Sequence, residues 1–173
     1  MLYPSGTPTQ PEIIAIALSK LGIRNSDVFV DIGCGSGSVS IKASALAKSV
    51  LAIDTREEAV LAAIANINES GIDNISVIKG DAEKLLNDID FDCAFIGGSK
   101  NIRKVLEIMI KKGNVRFAVS AVRIETIFIA LEIMQKNNVF SELLQIQLSR
   151  GNELAGGTIK KKKNSVFLLI GGL

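Results

Sequence analysis

Val28-Phe29-Val30-Asp31-Ile32-Gly33-Cys34-Gly35-Ser36-Gly37-Ser38-Val39-Ser40 is the stretch whose reading decides the fold. An apolar run with β-branched residues closes on an aspartate, and a loop with glycine at every second position follows. The residues from Ser38 to Lys48 then read as helix. Such a strand–glycine loop–helix turn brings backbone close to a ligand, because glycine lacks a side chain and tolerates positive φ. It also leaves unpaired N–H groups at the helix start, where a carboxylate or phosphate docks. A dinucleotide fingerprint would require glycine at position 38, where this chain has Ser38.

Composition narrows the possibilities. A chain of 173 residues is one domain of ordinary size, expected to span 1–173, and long enough to bury a real core. Its 47% hydrophobic and 22% charged residues exclude a disordered chain. No apolar stretch approaches the roughly 20 residues of a membrane helix. Met1 to Gln10 has no basic cluster followed by an apolar block, so no secretory signal is expected and the protein reads as cytoplasmic. A net charge of +2 does not argue for nucleic acid. The chain has no histidine, and its two cysteines, Cys34 and Cys93, are far apart. A zinc site, a serine–histidine triad or a histidine relay is therefore not expected, and no metal ligands are assigned.

Thr9-Gln10-Pro11-Glu12 fits a capping box, with Ile13, Ile14, Ala17, Leu18 and Leu21 recurring at helical spacing after it. Strands are expected at Val28–Ile32, Val50–Asp54, Asn74–Lys79, Phe91–Ile96 and Val115–Val122. Helices should lie between them, at Arg56–Ser70 with an apolar face of Ala59, Ala63, Ile64 and Ile67, and at Ile102–Lys112 with Val105, Leu106 and Met109. Glu125–Asn137 should be helical with Ile127, Phe128, Leu131 and Met134 inward. Glu142–Ser149 and Val166–Ile170 are two last strands with no helix pattern between them. Alternating helices and near-continuous apolar strands mean an α/β fold, a doubly wound, mostly parallel seven-stranded sheet. The last two strands should form an antiparallel C-terminal hairpin at one edge. Arg150 to Asn164 reads as a long basic loop inside that hairpin.

Ligands of such sheets bind beyond the carboxyl ends of the strands, where the strand order switches. Asp31, Gly33, Asp54, Asp81 and Gly97 all fall there. Taken alone, an aspartate after a strand is more often a helix cap. The spacing Asp-x-Gly-x-Gly-x-Gly, with acids after the next two strands, resembles motif I and its companions in the Rossmann-like S-adenosylmethionine methyltransferases. The resemblance implies that Gly33, Cys34, Gly35, Ser36 and Gly37 cradle the methionine end of S-adenosylmethionine, with Asp31 bracing the loop or facing the ammonium. It places Asp54 at the ribose hydroxyls, Asp81 and Ala82 at the adenine, and Gly97 beneath the transferring methyl. Phe95-Ile96-Gly97-Gly98-Ser99 lacks the Asn/Asp-Pro-Pro-aromatic segment of enzymes that methylate nucleobase amines.

Further segments carry a closer resemblance. Gly6-Thr7-Pro8-Thr9-Gln10-Pro11-Glu12, the glycine turn, Ile96-Gly97-Gly98-Ser99, Ala121-Val122-Arg123-Ile124-Glu125-Thr126 and Ser149-Arg150-Gly151-Asn152-Glu153-Leu154-Ala155-Gly156-Gly157-Thr158 are similar, nearly end to end, to the CbiT-type decarboxylating precorrin methyltransferases of cobalamin biosynthesis. That resemblance implies methylation of the meso carbon C-15 of a cobalt-precorrin ring, loss of the ring C acetate carboxylate, and a homotetramer. It also implies a cofactor contact for Thr9, whose cap role the spacing supports equally. A tetrapyrrole bearing many carboxylates would suit Arg123, Arg150 and Lys160 to Lys163, and Arg123, Glu125 and Arg150 are the candidates for substrate handling. Two alternatives stay open: an RNA ring-nitrogen methyltransferase using the lysines for phosphate, and a non-catalytic cofactor-binding subunit.

Overall fold

The structure, a computed structural model, describes residues 1–4, 8–98, 100–154, 157–162 and 164–172, with backbone alone at 152–154 and 157–162. Within it run α1 (Pro11–Leu21), β1 (Val28–Ile32), α2 (Ser38–Ala43), β2 (Ser49–Asp54) and α3 (Glu57–Glu69). Then follow β3 (Ile75–Lys79), α4 (Ala82–Leu85) with a 3₁₀ turn, β4 (Cys93–Ile96), α5 (Ile102–Lys112) and β5 (Arg116–Ala121). The chain continues through α6 (Ile124–Lys136), β6 (Phe140–Ile146), β7 (Ser149–Leu154), β8 (Gly157–Lys162) and β9 (Val166–Gly171).

Seven strands form one sheet in the order β3-β2-β1-β4-β5-β9-β6. The first five are parallel, and β9 runs antiparallel between β5 and β6. β1 pairs with β2 on one side and β4 on the other, Asp31 lying between Ala52 and Phe95. The order reverses here, so the chain after β1 and the chain after β4 diverge and open a crevice at the carboxyl edge.

Successive strand residues face opposite sides of the sheet, and both sides are dry. Val30, Ile32, Ala94, Ile96, Phe117 and Val119 meet Leu106 and Met109 of α5 and Met134 of α6. Phe29, Cys93, Phe95, Ala118, Leu168 and Ile170 meet Ile13, Leu18 and Leu21 of α1. Each large side chain removed from water contributes about 1.5–3 kcal/mol.

Several expectations are corrected. Thr9 does not cap α1, which begins one residue later; extended Gln10 precedes it, with no side-chain cap. Glu12 pairs instead with Arg150. The helix from Ser38 ends at Ala43, where Ser44 Oγ donates to the Ile41 carbonyl and Asn74 Nδ2 to the Ser44 carbonyl. These bonds give the chain an alternative to continuing the helix. Ile64 and Phe128, expected inward, are exposed, Phe128 by 67%. Residues 150–164 hold no long loop among the described positions. β7 and β8 pair antiparallel as a sheet of their own, Arg150 opposite Lys161. Gly6, Thr7, Ser99, Ala155, Gly156 and Lys163 lie outside the described residues, as do the side chains of Lys160, Lys161 and Lys162.

Arg116, at the start of β5, joins three elements. Its Nη1 donates to the carbonyls of Leu21 and Gly22 at the end of α1, at 2.7 and 2.6 Å, and its Nη2 to the Asp27 carboxylate. Burial works to raise the Asp27 pKa. The Arg24 N–H and the guanidinium outweigh it and hold the carboxyl below its ordinary value. This stabilisation is therefore present above the ordinary carboxylate range and is lost as pH falls through the depressed value. Arg116→Met strands a buried carboxylate and is expected to cost about 3 kcal/mol, lowering Tm by roughly 6–12 °C. An unchanged Tm in thermal denaturation would remove Arg116 from this role.

Candidate functional site

Asp31 is fully buried, yet it is the last acid before the glycine turn. Its Oδ2 accepts hydrogen bonds from Ser40 N at 3.0 Å and Ser40 Oγ at 2.6 Å, tying the first turn of α2 to the end of β1. Its Oδ1 has no partner among the described residues. Burial is the main cause that raises the Asp31 pKa to about 7, with the Asp54 charge adding to it and the Ser40 bonds opposing. The folded chain thus holds a proton that the unfolded chain has released. The group favours folding most below the ordinary carboxylate range, and this is lost as pH rises through about 7.

Between Asp31 and Ser40 the turn is set by backbone. The N–H groups of Gly33 and Cys34 both donate to the Ile53 carbonyl of β2, at 2.8 and 3.0 Å. Gly33 has φ +75°, and a Cβ there would lie 2.8 Å from the Gly98 nitrogen. Only glycine lets the loops after β1 and β4 approach this closely.

Asp54, at the end of β2, is 5% exposed. Its Oδ2 accepts from Gly35 N at 3.0 Å and Arg56 Nη2 at 3.1 Å, and its Oδ1 from Arg56 N and Nε at 3.0 and 3.2 Å. Burial works against ionisation, but the Arg56 and Gly35 bonds prevail and the pKa is lowered. The carboxylate is therefore charged throughout the neutral range. Asp81 caps α4 by accepting from Glu83 N at 3.1 Å, as a lone aspartate after a strand often does. Burial, with the charges of Asp31 and Asp54, drives the Cys34 thiol far up, so it stays protonated and is no nucleophile.

These groups surround a cavity of about 380 Å³ at the carboxyl edge. Thr9, Asp31, Gly33, Cys34, Gly35, Ser36, Asp54, Asp81, Ala82 and Gly97 all line it. Gly37 is not in the wall; at φ +77° it turns the chain into α2. Arg123, Glu125 and Arg150 also lie outside the lining. Arg123 precedes α6 and faces Glu125 at 3.5 Å, both exposed. Arg150 Nη2 lies 2.7 and 3.0 Å from the two Glu12 oxygens, three residues past Thr9. It follows β6, which runs parallel to β5, and so leaves the sheet at the same edge as the glycine turn.

Sequence reasoning missed Tyr3, Pro4, Arg56 and Lys100 in the wall. Arg56, two residues after Asp54, carried a local signal: a guanidinium within reach of a strand-end acid. Tyr3 and Pro4 carried none, because contact with the turn is long-range. No cluster of three potential metal ligands occurs among the described residues, and no helix there is long and apolar enough to cross a membrane.

Sheet order, glycine turn and strand-end acids define an α/β chain of the Rossmann-like methyltransferase class. The fold of a tRNA (m1A58) methyltransferase from Aquifex aeolicus agrees, with a TM-score of 0.75 at 16% identity over 96% of this chain and 70% of that one. A family model described as "Precorrin methyltransferase domain" matches residues 3–169, and the chain belongs to that family. A probable cobalt-precorrin-6B C(15)-methyltransferase (decarboxylating) from Methanosarcina acetivorans is 47% identical over 173 residues, 96% of this chain and 94% of the relative. The crystal structure of precorrin 8W decarboxylase from Methanobacterium thermoautotrophicum superposes with a TM-score of 0.92 at 31% identity, covering 99% of this chain and 94% of that one.

Gly33→Ala is expected to weaken S-adenosylmethionine binding by at least about tenfold, equivalent to about 1.4 kcal/mol, because its Cβ forces the loops after β1 and β4 apart. Unchanged affinity by calorimetry would contradict this reading of the turn.

Proposed function

We propose that residues 1–173 form one catalytic domain that methylates C-15 of a cobalt-precorrin ring from S-adenosylmethionine and removes the ring C acetate carboxylate as carbon dioxide, in cobalamin biosynthesis. One observation carries this reading. A cavity bounded by the glycine turn and by the acids ending β1, β2 and β3 sits in a chain that matches precorrin methyltransferases along nearly its whole length.

The residues present fit the cofactor. Asp31 lines the cavity, and its buried Oδ1, without a partner among the described residues, offers an acceptor to a cation such as the α-ammonium. Gly33, Cys34, Gly35, Ser36 and Gly37 shape the place for the methionine end, and Thr9 lines the same cavity. Asp54, permanently ionised and acceptor-only, suits the ribose hydroxyls, and Asp81 with Ala82 the adenine. Gly97, without a side chain, leaves room for the methyl to pass. When bound, S-adenosylmethionine supplies an electrophilic methyl on a sulfonium.

An electron-rich tetrapyrrole carbon attacks such a methyl without a strong protein base, and the ring accepts the electron pair left by departing carbon dioxide. A chain without histidine is adequate for both steps. Its contribution is orientation and exclusion of water. Arg123, Glu125 and Arg150 are assigned to handling substrate carboxylates. Their exposure beside the carboxyl edge supports a role toward a large ligand outside the cofactor cavity. Lysines 160 to 163 are assigned the same role. A homotetramer in the cytoplasm completes the proposal, its mass to be read by light scattering.

Incubation with cobalt-precorrin-6B and methyl-labelled S-adenosylmethionine should give a product that gains one methyl and loses carbon dioxide. A product lacking either change would contradict the assignment, and RNA affinity with a steep salt slope would favour the RNA reading. Asp31 adds a test by pH. Near about pH 6 the free enzyme holds the Asp31 proton, and a cation beside Oδ1 expels it. Cofactor affinity should therefore rise with pH up to about 7. Calorimetry at that lower pH, in buffers of different ionisation enthalpy, should show proton release that Asp31→Asn abolishes. Buffer-independent heats would remove Asp31 from contact with the cation.

A further inference from the structure

Asn66 is a poor residue for the interior of α3, yet it is 1% exposed among alanines and Ile67. Every polar atom of its side chain is engaged outside its own helix. Oδ1 accepts from Leu2 N at 2.6 Å, and Nδ2 donates to the Leu2 carbonyl at 2.8 Å and to the Ser36 carbonyl at 2.9 Å. One carboxamide thus holds the N-terminal segment by a two-bond clamp and the glycine turn by a third bond.

The segment is otherwise held by long contacts of Met1: its N-terminal ammonium lies 3.7 Å from Glu69, and its Sδ accepts from the Ser38 and Tyr3 hydroxyls at 3.8 Å. Leu2 and Tyr3 are each 59% exposed, so burial of apolar surface does not fix their position. Tyr3 and Pro4 nevertheless line the cavity beside the turn. A largely exposed aromatic ring at a cavity wall gains most by covering a ligand.

We propose that Leu2 to Pro4 form a wall of the cofactor site, with Tyr3 touching the ligand and Asn66 acting as the positioning residue that sets this wall and the glycine turn relative to each other. This rests on S-adenosylmethionine as the occupant. Asn66 touches no ligand; it acts by holding both surfaces in place before binding, so that the ligand need not order them. An aspartate cannot substitute, because it has no N–H to donate and would set negative charge against the carbonyls of Leu2 and Ser36. A proline at position 2 removes the N–H that Asn66 Oδ1 accepts, at an exposed site that leaves the core untouched.

The test measures S-adenosylmethionine affinity by calorimetry for the wild type, Tyr3→Ala, Leu2→Pro, Asn66→Ala and the double variant Tyr3→Ala/Asn66→Ala, with the Tm of each ligand-free protein. Tyr3→Ala should weaken binding at least about tenfold with Tm unchanged, and Leu2→Pro should weaken it at least about tenfold with a small fall in Tm, since Asn66 Oδ1 loses its donor. The double variant should bind no worse than the weaker single variant, since a released wall no longer brings Tyr3 to the ligand. Wild-type affinity in both Tyr3→Ala and Leu2→Pro overturns the inference, as does a double variant whose losses simply add. These two variants decide the matter even if Asn66→Ala does not fold. A wild-type protein that binds no S-adenosylmethionine overturns the functional reading and this inference with it.

Discussion

The Asp31 carboxylate reaches across the glycine turn to Ser40, and the site is organised by those two hydrogen bonds. They fix where β1 stops and α2 begins, and so fix the eight residues between. With the ends held, the backbone N–H groups of Gly33 and Cys34 can both meet the Ile53 carbonyl, and Gly35 N can meet Asp54. The turn is thereby attached to β2. Its contact with the loop after β4 follows from the absence of a Cβ on Gly33. A crevice at the order switch becomes a cavity of defined shape because backbone, rather than mobile side chains, forms its floor.

The same carboxylate links architecture to chemistry. One oxygen serves the fold, while the other has no partner among the described residues, in a cavity-lining group whose burial raises its pKa to about 7. Asp54, at the end of β2, is in the opposite state, held ionised by Arg56. Two acids of one type thus present different charge to a ligand that carries both a cation and hydroxyls. With Cys34 kept protonated and no histidine in the chain, neither a Cys34 thiolate nor an imidazole serves the site. That fits a reaction whose driving force lies in a sulfonium methyl and an electron-rich ring, and whose protein contribution is placement.

The parts of this picture legible in the sequence are those with short-range causes. Val28 to Ser40 encodes strand, turn and helix start within 13 residues, and the parallel sheet follows from the alternation of apolar strands and helices. The helical faces of α1 and α5 were read correctly because their periodicity is strict. Phe128 misled because it continues the apolar spacing of α6 while facing outward. The β7–β8 hairpin was hidden because glycines and lysines give no alternating pattern, and its pairing rests on backbone register. Thr9 looked like a cap because the box spacing was right by one residue too few. Asn66 with Leu2, and Arg116 with Leu21 and Gly22, join positions 64 and about 95 residues apart. No local pattern announces such bonds.

The central claim is that the acids ending β1 and β2 and the turn between them form an S-adenosylmethionine site. Titration calorimetry on the wild type and Asp54→Ala tests it most directly. The account predicts saturable binding of one S-adenosylmethionine per chain, weakened at least about tenfold by loss of the Asp54 carboxylate, or about 1.4 kcal/mol. Equal affinity in the two proteins would contradict it.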